Sequence, residues 1–227
     1  MSTIQTDFDR IALVSPDGSL HNHHYSDFLL RQLGPNCQAA LEIGCGKGEF
    51  SRRLAERSSH VLALDLSPEM IRIARANSAP ESNIEFQIAD VTTYDLPTEG
   101  FDCIASIATL HHLPLREMLG KMKGALKPGG VLLILDLFEP RGVVDALLNP
   151  FAILVSVTLR LIHHGRLRSS REARDAWAAH ESHDLYPTMS QVRELCSEVL
   201  PGARIKKHLL WRYSVIWRKE PAEQAKA

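Results

Sequence analysis

Apolar residues recur along this chain in two alternating periods. Tyr25, Phe28, Leu29 and Leu33 fall at helical spacing and predict a helix over residues 21–33, closed by Gly34-Pro35. Residues 39–43 then form a short, almost wholly apolar run, followed by a glycine turn and a helix over about 49–57 with Phe50 and Leu54 on one face. The alternation repeats: apolar runs at 60–64, 84–89, 102–106 and 131–135 read as strands, three of which end on or just before an acid, Asp65, Asp90 or Asp136. Between them, Ser67-Pro68-Glu69 opens a helix, since serine can cap it and proline at its first position sacrifices no hydrogen bond. A further helix over about 115–126 stops at Lys127-Pro128-Gly129-Gly130. Strands separated by helices imply βαβ units and a parallel sheet. Strands apolar on both sides imply helices on both faces.

The last third reads differently. Residues 140–200 contain no evident strand, and Thr188 with Gln191 forms a capping box that starts a helix to about residue 200. Residues 204–209 and 213–218 read as two strands joined by so short a link that they must pair antiparallel. The expected fold is therefore α/β, a Rossmann-like, seven-stranded, mostly parallel sheet with a terminal antiparallel hairpin and helices on both faces. Residues 1–20 read as a loose lead-in and 21–219 as a single domain with a helical lid insert at about 140–187. Residues 220–227 are expected to be a disordered tail.

The glycine turn carries the first chemical signal. In Leu41-Glu-Ile-Gly-Cys-Gly-Lys-Gly48, Gly44, Gly46 and Gly48 alternate directly after a strand and before a helix. Such a turn offers free backbone N–H groups and lets a ligand approach the main chain. A tight turn with no ligand would look the same. A dinucleotide fold wants G-x-G-x-x-G, but here Glu49 stands where the third glycine would be, and no G-x-x-x-x-G-K-[ST] phosphate loop is present. Asp65, at the end of the second strand, can accept hydrogen bonds from both hydroxyls of a ribose, or can simply sit beside the Ser67 cap. Asp90, ending the third strand, can equally be a loop acid.

The turn does match E-x-G-x-G-x-G from Glu42 to Gly48, and over residues 38–137 the chain resembles the class I S-adenosylmethionine-dependent methyltransferases, of the small-molecule kind known as type 11. The resemblance implies that Glu42, Gly44, Cys45, Gly46 and Gly48 form the cofactor turn. It implies that Asp65 holds the ribose of S-adenosyl-L-methionine, with Leu66 and Met70 flanking the adenine, that Asp90 takes the adenine amino group, and that Val91 offers a backbone N–H. Ser106 and Ile107, in Phe101-Asp-Cys-Ile-Ala-Ser-Ile107, stand where the family's backbone meets the methionine part. Tyr25, on a helix that in the family closes over the cofactor, would bond its carboxylate; packing of Tyr25 on the sheet is the alternative. His111 and His112, in the loop that faces the reaction centre, are the candidate general bases, or else they only shape the pocket. A base is needed only where the acceptor must lose a proton, and it contributes about 10²–10⁴ in rate.

The remaining features narrow the partners. His180-Glu-Ser-His183-Asp184 offers possible ligands at loose spacing with no second cluster in sequence, so no metal site is expected and a substrate-side contact is the stronger reading. Residues 143–162 are apolar but interrupted by Asp145, Asn149, Pro150 and Arg160, too short to span a bilayer. They admit three readings: a buried lid helix, a peripheral helix on a membrane surface, or a dimer contact, so monomer and homodimer both stay open. Each hints at a small acceptor of apolar character. Among the 227 residues, 44% are hydrophobic and the formal net charge is −1, which disfavours capture of nucleic acid; the four cysteines are scattered and form no metal or disulfide pattern. The polar start of the chain is not a signal peptide, so a cytoplasmic protein is expected. The expected activity is methyl transfer to that acceptor. The competing readings are a nucleotide-binding protein without transfer and a NAD-dependent oxidoreductase, for which no Tyr-x-x-x-Lys or comparable hydride-transfer set is present.

Overall fold

The structure, a computed structural model, describes residues 3–15, 20–79, 83–141, 150–158, 161, 170–181 and 184–221. Seven strands form one sheet: β1 (Cys37–Ile43), β2 (Ser58–Asp65), β3 (Ile84–Ile88), β4 (Phe101–Ile107), β5 (Leu126–Leu137), β6 (Arg204–Lys207) and β7 (Arg212–Arg218). Their order is β3-β2-β1-β4-β5-β7-β6. Strands β1 to β5 pair in parallel, while β7 runs against both β5 and β6. This is the Rossmann-like sheet with an antiparallel end that the periodicity predicts. The order reverses between β1 and β4, and ligands of open α/β sheets bind at the carboxyl ends of the strands beside such a reversal.

Helices cover both faces because the central strands are apolar on both. On one face Leu41, Ile104, Leu132 and Val215 pack with Met118, Leu119 and Met122 of α5 (Leu115–Ala125) and Val192 of α8 (Met189–Val199). On the other, Ala40, Cys103 and Leu133 meet Tyr25 and Leu29 of α2 (Leu20–Leu30) and Leu54 of α3 (Glu49–Ala55). Helix α4 (Pro68–Ala76) starts as expected: the Ser67 side chain accepts from Met70 N and proline follows the cap. The capping box of Thr188 and Gln191 opens α8.

Three expectations need correction. Residues 3–14, read as loose lead-in, form helix α1 (Thr3–Val14), because Ile11 and Ala12 bury against Met70 of α4 and Ala176 of α7 (Arg171–Glu181). Helix α2 ends at Leu30, short of residue 33, since the chain turns into Gly34-Pro35 through bonds from Gln32 N to Leu29 O and Leu33 N to Leu30 O. Strand β5 begins at Leu126 and not at residue 131, because Leu126 pairs with Phe101 ahead of an irregularity in the ladder. Of the apolar insert, only helical residues 150–158 (α6) and residue 161 are described; the rest of 143–162 lies outside the described residues, as do the side chains of His21, His23 and His24 and the whole of His183.

Candidate active site

The glycine turn leaves β1 with Gly44, Gly46 and Gly48 all at positive φ, 73°, 51° and 73°. Gly44 N and Cys45 N both donate to Leu64 O, at 2.8 and 3.0 Å, which fastens the turn across the end of β2. A Cβ at Gly44 would stand 2.1 Å from Thr109 Oγ1, so the loop after β4 lies flush on the turn. A Cβ at Gly46 would meet nothing within 4 Å, because that side of the turn faces a cavity. The cavity measures about 240 Å³ and lies over the carboxyl ends of β1, β2 and β4.

Its polar wall is acidic. Asp65 Oδ2 accepts from Gly46 N at 2.7 Å and Oδ1 from Ser67 N at 2.9 Å. Each oxygen keeps a lone pair for a ligand. Burial raises the Asp65 pKa, against the opposing pull of those two N–H donors. Glu42 is 2% exposed, accepts from Ser51 Oγ, and is pushed up to about 8 by burial, so it keeps its proton at neutral pH. Asp90 lies at the rim, where its Oδ1 accepts from Thr92 N and Oγ1 at 2.9 and 2.6 Å. The apolar wall is supplied by Leu66, Met70, Val91 and Ile107.

Not every expected residue reaches the cavity. Gly44, Cys45, Gly46, Glu42, Asp65, Leu66, Met70, Asp90, Val91, Ile107 and His112 line it; Tyr25, Gly48, Ser106 and His111 do not. The Tyr25 hydroxyl donates to Leu209 O at 2.8 Å, on the link between β6 and β7. Ser106 Oγ donates to Ile43 O at 3.1 Å, which joins β4 to β1. Gly48 lets Phe86 pack: a Cβ there would come within 2.8 Å of its ring. His111 stands behind His112, its Nδ1 2.6 Å from Asp136 Oδ1 and its backbone N–H bonded to Asp136 Oδ2 at 3.0 Å. Burial, followed by the neighbouring His111, pushes the His112 pKa down to about 4.

The sequence reading missed the cap opposite the glycine turn. Phe8 and Ile11 of α1 and Trp177 of α7 line the cavity. Helix α1 is held there by Asp9, whose Oδ1 accepts from Ser67 Oγ at 2.5 Å and Glu69 N at 3.3 Å, and by Lys47 Nζ, which donates to Ser15 O. A signal existed, because Ile4, Phe8, Ile11 and Ala12 stand at helical spacing in a stretch that otherwise reads as polar.

Residues 40–130 match a family described as a methyltransferase domain. An uncharacterized methyltransferase of Mycobacterium tuberculosis is 32% identical over 199 residues, covering 87% of this chain and 95% of that one. A ubiquinone biosynthesis O-methyltransferase of Xylella fastidiosa is 34% identical over 112 residues, 48% of this chain and 45% of its own length. Among solved structures, the N-methyltransferase NodS of Bradyrhizobium japonicum in complex with S-adenosyl-L-homocysteine superposes with a TM-score of 0.64 at 17% identity, covering 96% of this chain and 99% of that one. This chain belongs to the class I S-adenosylmethionine-dependent methyltransferases, and its cofactor is S-adenosylmethionine.

The cavity fits that cofactor on its own chemistry. Glu42, Glu49, Asp65 and Asp90 line it, and the lysine among its lining residues, Lys47, is tied to Ser15 O. With Glu42 protonated, the negative charge of that wall comes from Glu49, Asp65 and Asp90, and it disfavours a diphosphate and suits a cationic nucleoside without phosphate.

Proposed function

We propose that this enzyme moves the methyl group of S-adenosylmethionine in line onto a small acceptor of partly apolar character, with the cofactor in the cavity between the glycine turn and the α1–α7 cap. When bound, S-adenosylmethionine supplies a sulfonium methyl group already activated toward nucleophiles. Asp65 accepts both ribose hydroxyls; Leu66 and Met70 sandwich the base, which Asp90 and Val91 N address from the rim. Gly44, Cys45 and Gly46 admit the amino-acid part against bare backbone, with Glu42 beneath them. The acceptor enters beside His112, Phe8 and Trp177. These side chains hold it in line and exclude water, and alignment of this kind accounts for about 7–11 kcal/mol of a barrier. The domain plan is one methyltransferase unit with its insert between β5 and α8. The apolar side chains Phe151, Ile153 and Leu154 of α6 are exposed, and no described helix is long and apolar enough to cross a membrane. A surface contact with an apolar partner is in keeping with both.

The observation that carries this reading is the meeting of Asp65, Leu66 and Met70 with the open side of Gly46 in one cavity. Calorimetric titration with S-adenosyl-L-homocysteine tests it. Wild type is expected to bind saturably at one site, and Asp65→Ala to weaken binding at least tenfold. Absence of binding to wild type, or unchanged affinity in the variant, would remove the assignment.

A further inference from the structure

Behind the cavity wall, four side chains from two distant stretches converge. His111 and His112 come from the 3-10 turn after β4, His180 from the last turn of α7, and Asp184 from just beyond it. His112 Nδ1 is 3.1 Å from Asp184 Oδ1; His180 Nε2 and His111 Nε2 are 3.7 and 4.0 Å from Asp184 Oδ2. Ligand atoms of His111, His112 and Asp184 all lie within 4.8 Å of one another. The four side chains are 3–7% exposed.

We propose that His111, His112, His180 and Asp184 form a site for one divalent transition cation of the zinc class. Imidazole and carboxylate donors together select such ions over magnesium or calcium. Tetrahedral bonds of about 2.0–2.1 Å hold ligand atoms roughly 3.3 Å apart. The three imidazoles stand 3.1–4.0 Å from Asp184, and His111, His112 and Asp184 keep their ligand atoms within 4.8 Å of one another, so these three can draw in on one ion, with His180 joining from its 3.7 Å approach to Asp184. The outer groups are also in position. His111 Nδ1 meets Asp136 Oδ1 at 2.6 Å and His180 Nδ1 meets Asp7 Oδ2 at 3.6 Å, which turns both Nε2 atoms toward Asp184. A carboxylate behind an imidazole is the arrangement that orients histidine on a metal. The Tyr186 hydroxyl donates to Asp184 Oδ2 at 2.8 Å and holds the carboxylate in place.

Charge points the same way. Asp136 interacts with the buried Arg212 guanidinium. Asp184 is as enclosed, yet its ion-pair partners among the described residues are all imidazoles. A buried carboxylate is stable when paired or bound to a metal. The spacing of His180 and Asp184 in sequence gave no reason to expect an ion, because the other two ligands lie some seventy residues earlier and only the fold brings them in. A bound cation would clamp the end of α7, and α1 through Asp7, onto the loop that carries His112 at the cavity.

This proposal stands apart from cofactor binding, so its test uses the metal alone. Chelator-stripped protein is titrated with Co²⁺ and followed by visible absorption, then challenged with Zn²⁺. The expected result is one equivalent of Co²⁺ with the intense bands of a four- or five-coordinate ion, displaced by Zn²⁺, and a rise in melting temperature with either metal. His180→Ala and Asp184→Ala should each weaken Co²⁺ binding at least tenfold while leaving the metal-free circular dichroism spectrum intact; Asp184→Asn replaces the second variant if it does not fold. Wild type that binds no Co²⁺ would show a purely hydrogen-bonded His–Asp cluster and overturn the proposal. Binding that both variants retain at full strength would place the ion elsewhere and overturn it equally.

Discussion

The two walls of the cavity are built in opposite ways. The glycine-turn wall comes from strand ends that neighbour one another in the sheet, and its residues are held by backbone bonds such as those from Gly44 N and Cys45 N to Leu64 O. The cap comes from α1 and α7, remote in sequence, and is held by side chains, Asp9 on Ser67 and Lys47 on Ser15. The first wall is rigid because the sheet dictates it. The second depends on a few polar contacts and the small apolar cluster around Ile11, Met70 and Ala176. Substitutions in the turn should therefore act on folding and cofactor affinity together, and those in the cap more weakly on each.

The largest expected effect is a pH dependence centred on Glu42. Its folded pKa, raised to about 8, stands above the ordinary 4.5. Below 4.5 both folded and unfolded chains are protonated, and the buried acid's contribution is fully present. As pH rises from 4.5 to 8 the unfolded chain ionises while the folded one does not, so stability falls, by up to about 1.4 kcal/mol per pH unit. Glu42→Gln should flatten that decline in urea titrations at pH 5 and pH 8. Equal slopes for wild type and variant would mean that Glu42 is charged in the native turn.

Next comes Gly44→Val, which combines a disfavoured φ of 73° with a Cβ clash on Thr109. The left-handed backbone costs roughly 1–2 kcal/mol and overpacking about 1–3 kcal/mol more. Adding Thr109→Ala should recover only part of the packing loss, since the Cβ of residue 109 would still stand 2.7 Å away, and none of the backbone part. Full recovery would show that the turn tolerates a side chain. Asp65→Ala follows, with its loss of at least tenfold in S-adenosyl-L-homocysteine affinity and a lower melting temperature as well, since Gly46 N and Ser67 N lose their acceptor.

How far the sequence discloses each wall follows from the same contrast. Strand, glycine turn and terminal acid are contiguous, so Gly44, Asp65 and Asp90 are visible by spacing, and short apolar runs alternating with helical patterns give the seven strands, though not the start of β5. Motif position does not tell where a side chain turns: the Tyr25 hydroxyl reaches Leu209 O, in line with the packing alternative, and Ser106, expected at the cofactor through its backbone, sends its hydroxyl to Ile43 O. The cap and the His–Asp cluster were hidden because they exist only through long-range packing. No local rule ties Asp7 to His180, or His112 to Asp184. Helix α1 was obscured by its own composition, since Asp7, Asp9 and Arg10 mask the spacing of Phe8 and Ile11.

The smallest effect tests the contrast most directly. Asp9 leaves α1 to accept from Ser67 Oγ and Glu69 N at the start of α4, the helix that presents Met70 to the cavity. Asp9→Ala removes both bonds without opening a core cavity, and loss of such a cap costs about 1 kcal/mol. With α1 loosened but the glycine-turn wall intact, S-adenosyl-L-homocysteine should bind only two- to threefold more weakly, chiefly through faster release in stopped-flow measurements, because the residues proposed to hold the ribose and base are unchanged. If Asp9→Ala weakened binding as much as Asp65→Ala while stability held, α1 would be part of the binding wall and the two-wall distinction would fail. If neither stability nor release changed, the α1 contact would carry no weight in solution, and the cap would have to rest on the apolar contacts of Ile11 and Ala12 alone.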